Sequence, residues 1–292
     1  MRLPRPLPTR RNEYPPVSNT PKISVIMAAY NNEATIGAAL ESLLVQTMPD
    51  FEVVVFDDGS SDKSGLIACE LNDPRIRVIG LGRNVGRAAA RDHAIRAARA
   101  DIIAIADADD ASLPTRLEDH LAIFAAHPEA TVTYGQITSV LPDGTPHNAL
   151  RFPETAAEVD AQIRRGRMPV PHTASAFRRE WYLTSGGYDK SIRWCEDYDL
   201  FARAWAPGTY VPGTRVGARY TIASRFPSWN YWWENERHLR AINARIQAVG
   251  RPAAGGEPFS PFLQRNSRGG THAIELFRYV AVRLRDTLRG TH

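Results

Sequence analysis

Between Ile23 and Ala106, four short apolar runs alternate with three helical ones, and this alternation limits the fold more than any other feature of the chain. The apolar runs are Ile23–Ala29, Phe51–Phe56, Ile76–Gly80 and Asp101–Ala106. They are largely continuous rather than alternating with polar residues. Strands of that kind are buried on both faces, whereas a sheet with one wet face shows a period of two. The stretches between them, Ala34–Gln46, Ser61–Leu71 and Val85–Ala98, read as helices, and in the first Ile36, Leu40, Leu43 and Leu44 share a face. Strand and helix in this order predict a parallel sheet covered by helices on both sides. Ligands of such sheets bind beyond the carboxyl ends of the strands. The segments Ala29–Glu33, Asp57–Asp62 and Asp107–Asp110 all follow strand ends, so they should converge on one crevice.

The last of these is the most charged. The run DIIAIADADD, residues 101–110, carries a strand straight into Asp107, Asp109 and Asp110, and the next base in sequence is Arg116. On an extended segment Asp107 and Asp109 point the same way. Two like charges aimed at one spot are costly without a cation between them. The spacing therefore asks for a metal, and a metal at the end of a buried strand points to phosphate chemistry.

After Pro114 the pattern loosens. Helices are expected over Pro114–Ala126, Glu154–Arg164, Arg179–Thr184 and Asp197–Trp205, with strands in Ala130–Val140 and Thr173–Phe177. Two further helices, Trp229–Val249 and Thr271–Leu288, flank a Gly- and Pro-rich linker at 250–261. The expected organisation is a flexible, proline-rich leader at 1–21, a main domain at 22–225 and a helical extension at 226–292. With 292 residues, no apolar run long enough to span a membrane and no signal-peptide core, a cytoplasmic protein is expected. Cys69 and Cys195 are too few and too far apart for a disulfide framework. Residues 1–22 carry five bases and one acid, and residues 265–292 carry six and two. Solvated ends are the expected reading; peripheral contact with an anionic membrane surface is the alternative. The charge pattern suggests no nucleic-acid partner. Packing or homodimerisation is expected for the C-terminal helices, and core packing for Trp229, Tyr231, Trp232 and Trp233.

Five blocks, in order and at sensible spacing, resemble the inverting GT-A-type glycosyltransferases of family 2. They are SVIMAAYNNEATI (24–36), VVVFDDGSSDKS (53–64), NVGRAAARD (84–92), DADD (107–110) and GGYDKSIRWCEDYDL (186–200). The resemblance implies a GT-A fold, a Rossmann-like and mostly parallel sheet flanked by helices with a C-terminal helical extension. It implies transfer of a sugar from a nucleotide sugar, with a UDP-sugar favoured, to a glycan, lipid, peptide or small-metabolite acceptor. It also implies a divalent cation, Mn²⁺ or Mg²⁺.

Residue by residue, the resemblance places the donor on Ala29, Tyr30, Asn31, Glu33, Asp57, Asn84, Gly86, Arg91, Asp107, Ala108 and Asp109. Asp57 is the base-binding carboxylate, while Asp58 and Ser60 serve the turn. Asp107 faces the ribose or a metal-bound water, and Asp109 binds the cation that bridges the diphosphate. Arg87 or Arg91 is placed to balance the acids. Asp197 is the base that takes a proton from the acceptor, with Glu196 as its partner, and Trp194 is a candidate to stack on that acceptor. One departure stands out. Many relatives carry a His in a downstream pattern near the diphosphate; here the corresponding stretch, Arg219–Ser224, has none. Arg219, Arg225 or His172 are the candidates to stand in. A nucleotidyltransferase and a non-catalytic nucleotide- or glycan-binding relative are the alternatives.

Overall fold

A computed structural model describes residues 20–141, 143–222 and 229–248. The expected leader, linker and last helix, along with Arg225, lie outside these residues, as do the side chains of the Trp229–Trp233 cluster. Strands β1 (Ile23–Ala29), β2 (Phe51–Asp57), β3 (Ile76–Gly80) and β4 (Ile102–Asp107) alternate with helices α1 (Ile36–Leu44), α2 (Ser64–Glu70) and α3 (Arg87–Ala97). β5 (Ala111–Ser112), α4 (Arg116–Ala126), β6 (Val132–Val140), β7 (Pro146–Leu150) and α5 (Ala156–Arg164) follow. A 3-10 turn at His172–Ala174 leads into β8 (Ser175–Arg178), α6 (Arg179–Thr184), α7 (Glu196–Arg203), β9 (Tyr210–Thr221) and α8 (Trp229–Ala248).

One sheet runs in the order β3-β2-β1-β4-β8-β6-β9-β5, with β7 on β6. The four strands of the first half pair in parallel, as the continuous apolar runs require. Beyond β4 the sheet turns mixed: β8 is antiparallel to both β4 and β6, and β9 is parallel to β6. Successive strand residues divide between two cores. Val25, Met27, Val53 and Val55 pack with Ile36, Leu40 and Leu43 of α1 on one face. Ile26, Val54, Phe56, Ile103 and Ile105 pack with Ala88, Ala90, Ala94 and Ile95 of α3 on the other. Each large aliphatic side chain so buried contributes about 1.5–3 kcal/mol. The alanine face of α3 lets its backbone lie close to the sheet, which brings the intervening Arg91 down over the strand ends.

Three expectations need correction. Thr173 and Ala174 are in a 3-10 turn rather than a strand, because Ala174 N–H closes on Pro171 O. The helices begin later than their apolar pattern: α1 at Ile36, where the Thr35 and Ile36 amides close on Asn32 O, α2 at Ser64, where Glu33 and Asp62 take the amides of Lys63 and Ser64, and α3 at Arg87, where Asp58 takes those of Val85 and Gly86. Strands β7 and β9 were not anticipated; β9 has an exposed or half-exposed middle with Gly213 and Gly217, and its order comes from pairing along β6.

Internal contacts divide the chain into two units: Met1–Ile163 with Met168–Phe226, and Arg164–Arg167 with Pro227–His292. In the second, α8 buries Leu239, Ile242 and Ile246 at helical spacing. Among the described residues no helix is long and apolar enough to cross a membrane.

Candidate active site

Register puts the first carboxylates side by side. Ala29 at the end of β1 is opposite Asp57 of β2, and Ala28 is opposite Asp107 of β4. The strand ends therefore form a shelf with an acid on each flank. Asp57 accepts from the Ser60 amide at 2.9 Å. The chain leaves space for it: a Cβ on Gly65 would sit 2.5 Å from Asp57 Oδ2. Asp58 is buried and accepts from the amides of Val85 (2.6 Å) and Gly86 (3.1 Å), so it fixes the loop carrying Asn84 beside the shelf. Gly59, with φ +74°, lets this loop pass where a Cβ would meet Arg83 backbone at 2.5 Å.

Tyr30 is half exposed beside the shelf. Asn31 and Glu33 are exposed, but their polar groups are engaged elsewhere. Asn31 Oδ1 accepts from Ser61 N at 2.9 Å, and Glu33 Oε2 accepts from Lys63 N at 3.1 Å. They tie the loop after β1 to the loop after β2. Ala108 packs its methyl group into the core, leaving only its backbone for a ligand.

Arg91 is the keystone. It is buried on α3 and donates from Nη2 to Asp107 Oδ1 at 2.6 Å and from Nη1 to Glu196 Oε1 at 2.7 Å. Burial opposes its charge, but Asp107 and Glu196 more than offset that and raise its pKa. Asp107 feels the converse: burial pushes its carboxyl up, but Arg91, with a smaller pull from Arg87, holds it well below the ordinary 3.8. Asp107, which looked uncompensated in sequence, thus has a cation, supplied from 16 residues upstream.

The other two acids of the turn are raised. Asp109 is half-buried, has no ion pair among the described residues, and is pushed up by burial and by Asp107. Asp110 is buried, accepts from Thr221 N at 2.7 Å, and is pushed up to about 8 by burial and its two neighbours. It is therefore mostly neutral at pH 7 and joins the turn to β9. Behind the turn, Arg116 is fully buried and donates to the carbonyls of Ile105 and Ser175 and to Ser112 Oγ.

Across Arg91 lies α7. Cys195 takes a left-handed conformation, φ 65°, just before it, so Glu196 and Asp197 occupy the first turn. Asp197 is pushed up to about 6 by burial and by Glu196, with Arg91 pulling the other way. It accepts from Tyr198 N at 2.8 Å. His172 stands nearby as a neutral ring, its pKa lowered by burial and Arg91, and shares a 2.8 Å hydrogen bond with the Tyr188 hydroxyl.

The pattern of "Glycosyl transferase family 2" matches residues 24–184. The chain belongs to glycosyl transferase family 2. Family resemblance extends to the succinoglycan biosynthesis protein ExoO of Rhizobium meliloti (strain 1021), 43% identical over 204 residues. That match covers 66% of this chain and 58% of ExoO, so the chain spans well under two thirds of that relative. The fold is that of the S. aureus TarS fragment 1-349 solved in complex with UDP-GlcNAc: TM-score 0.62, 22% identity, 77% of this chain and 66% of that one. A mannosyltransferase from Pyrobaculum calidifontis, solved with GDP-Man and Mn²⁺, overlays with TM-score 0.58 and 18% identity over 87% of this chain and 70% of its own. These GT-A likenesses agree with the expected fold class.

A divalent cation fits Asp109. Its half-buried carboxylate has no ion pair among the described residues and is pushed up by burial and by Asp107, both of which a bound cation would oppose. Among the described residues no three His, Cys, Asp or Glu side chains are grouped to hold a metal alone. Substrate phosphate oxygens and water would complete the shell, as hard cations with one or two protein carboxylates require. The sequence pointed to Asp57, Arg91, Asp107, Asp109, Glu196 and Asp197, and the last four are gathered around the Arg91 guanidinium or beside it. It did not single out Tyr188, the neutral state of Asp110 or the burial of Arg116. No local pattern marks these, since each depends on which distant strand covers it.

Proposed function

We propose that this family 2 chain is an inverting glycosyltransferase that moves a sugar from a nucleotide sugar to a hydroxyl acceptor. A UDP-sugar is the first donor to test, and a glycan or a lipid-linked sugar is the favoured acceptor class. The observation that carries the reading is the Asp107–Arg91–Glu196 bridge, which holds the acids at the end of β4 against the acid pair that opens α7. A nucleotide-binding shelf on its own would need no such link to a second acidic pair.

In this reading Asp57 accepts from the nucleobase, Tyr30 flanks it, and the backbone around Asn31, Asn84 and Gly86 borders the nucleotide. Asp107 faces the ribose. A divalent cation on Asp109, with Asp107 beside it, would supply positive charge to the diphosphate. Asp197 does the proton chemistry. Its raised pKa lets it be ionised at neutral pH yet basic enough to accept a proton. The acceptor oxygen attacks the anomeric carbon and its proton passes to Asp197. The bond from that carbon to the diphosphate breaks, and its electron pair leaves with the nucleotide. Attack opposite the leaving group inverts the anomeric centre. TarS, crystallised with UDP-GlcNAc, supports the donor class, and the mannosyltransferase with GDP-Man and Mn²⁺ supports the cation.

The test is a screen of UDP- and GDP-sugars for nucleotide release with Mn²⁺ or Mg²⁺, repeated with Asp197→Asn. The variant should still bind the donor by calorimetry but lose turnover by about 10²–10⁴-fold. Full activity in Asp197→Asn would remove it as the base. Failure of the wild-type protein to bind any nucleotide sugar would sink the whole reading.

A further inference from the structure

Among the described residues, Arg91, Arg116 and Arg87 act on the acids at the end of β4, and of these three only Arg87 is exposed enough to meet a substrate. Arg91 has both Nη groups committed to carboxylates and a side chain just 6% exposed. Arg116 is buried behind the turn and spends its donors on backbone carbonyls and a serine. Arg87 differs from both. Its side chain is 53% exposed, and among the described residues its one ion pair is a loose contact of 3.7 Å to Glu196 Oε1. Arg91 already holds that same oxygen at 2.7 Å.

The placement of Arg87 is specific. It is the first residue of α3, one helical turn from Arg91, so both arginines lie on one face of the helix. Its guanidinium carbon lies 5.7 Å from the centroid of the Trp194 ring, which steadies it over the entrance to α7. Its charge lowers the pKa of Asp107, Asp109 and Asp197, so it sits among the donor acids and the base together.

We propose that Arg87 is the residue that engages the diphosphate of the bound nucleotide and receives its growing charge. This rests on the donor reading above. A guanidinium presents parallel N–H donors that match phosphate oxygens. As the bond to the sugar breaks, the electron pair settles on the terminal phosphate oxygen. Arg87 then exchanges its long contact with Glu196 for short ones to that oxygen. Glu196 loses little, because Arg91 still holds it.

Titration calorimetry in Mg²⁺ buffer separates the outcomes, with UDP, GDP, UMP and GMP as probes. Arg87→Ala should weaken binding of whichever diphosphate the wild type takes by at least about tenfold. Binding of the matching monophosphate should change by less than about threefold, and Arg87→Lys should recover part of the loss. Arg193→Ala serves as control: Arg193 is equally near Trp194 and exposed, and its removal should leave diphosphate binding unchanged. Undiminished diphosphate binding in Arg87→Ala overturns the assignment. So does an equal loss in Arg193→Ala, or an equal loss for mono- and diphosphate. If Arg87→Ala fails to fold, Arg87→Gln decides, since diphosphate binding equal to wild type in that variant refutes the role. A wild-type protein that binds neither UDP nor GDP fails at the donor reading instead.

Discussion

Replacing Arg91 with Met removes one charge from the middle of the site and keeps most of the side-chain length. The structure sets the size of the effect. Asp107 and Glu196 both lose a partner at hydrogen-bond distance, 2.6 and 2.7 Å away, inside a part of the fold where water cannot fully replace it. Breaking a buried pair by removing one member costs about 3–5 kcal/mol. The volume change alone would cost less than about 1.5 kcal/mol. For a domain of this size the melting temperature should fall by roughly 6–20 °C.

The pH dependence separates charge from volume. In the wild type, the folded pKa of Asp107 lies below its unfolded value of 3.8. That contribution to stability is present above the unfolded pKa and lost as pH falls through the folded one. Without Arg91, burial and the neighbouring acids dominate and the Asp107 pKa rises above 3.8. Its ionised form then opposes folding at neutral pH, and the penalty is relieved as the pH falls through the raised value. The stability gap between wild type and Arg91→Met should therefore narrow between about pH 7.5 and about pH 5. Urea unfolding followed by circular dichroism measures it. A gap that is equal at both pH values, or a melting shift below about 2 °C, would refute the claim that Arg91 stabilises the site through charge.

The remaining predictions are more local. Asp109→Asn should abolish the dependence of nucleotide-sugar binding on Mn²⁺ or Mg²⁺ in calorimetry, and an unchanged metal requirement would move the cation elsewhere. Turnover should rise with pH through about 6 as the Asp197 carboxyl loses its proton, given the value to which burial and Glu196 push it; a pH–rate profile without that limb argues against Asp197 as the base. Gly65→Ala should weaken nucleotide binding with little loss of thermal stability, because its methyl would meet Asp57 Oδ2. Equal binding by that variant would mean that Asp57 does not touch the base.

The parallel half of the fold was legible because both of its determinants are local. Runs such as Phe51–Phe56 can only be buried on two faces, and the polar residues that follow each run mark the strand ends. The second half was less legible. β9 has glycines and exposed residues and is ordered by pairing with β6, a partner more than 70 residues away. The starts of α2 and α3 shifted inward because Glu33 and Asp62 take the amides of Lys63 and Ser64, and Asp58 takes those of Val85 and Gly86, all from side chains that a periodicity argument does not see.

The site divides in the same way. Sequence alone determined which acids end which strands, since a strand's length and its polar terminus are written in consecutive residues. Register then made Asp57 and Asp107 neighbours of Ala29 and Ala28. Charge state was decided only by the tertiary structure. Asp107, Asp109 and Asp110 are nearly adjacent in the chain, yet the first is held ionised, the second is pushed up by burial and by Asp107, and the third is mostly neutral. The difference lies in what surrounds each: Arg91 from α3 pairs with Asp107, Asp109 is half-buried beside Asp107 with no ion pair among the described residues, and Asp110 is buried against β9. A pKa depends on desolvation and on charges a few ångströms away, and those distances are set by packing between residues far apart in sequence.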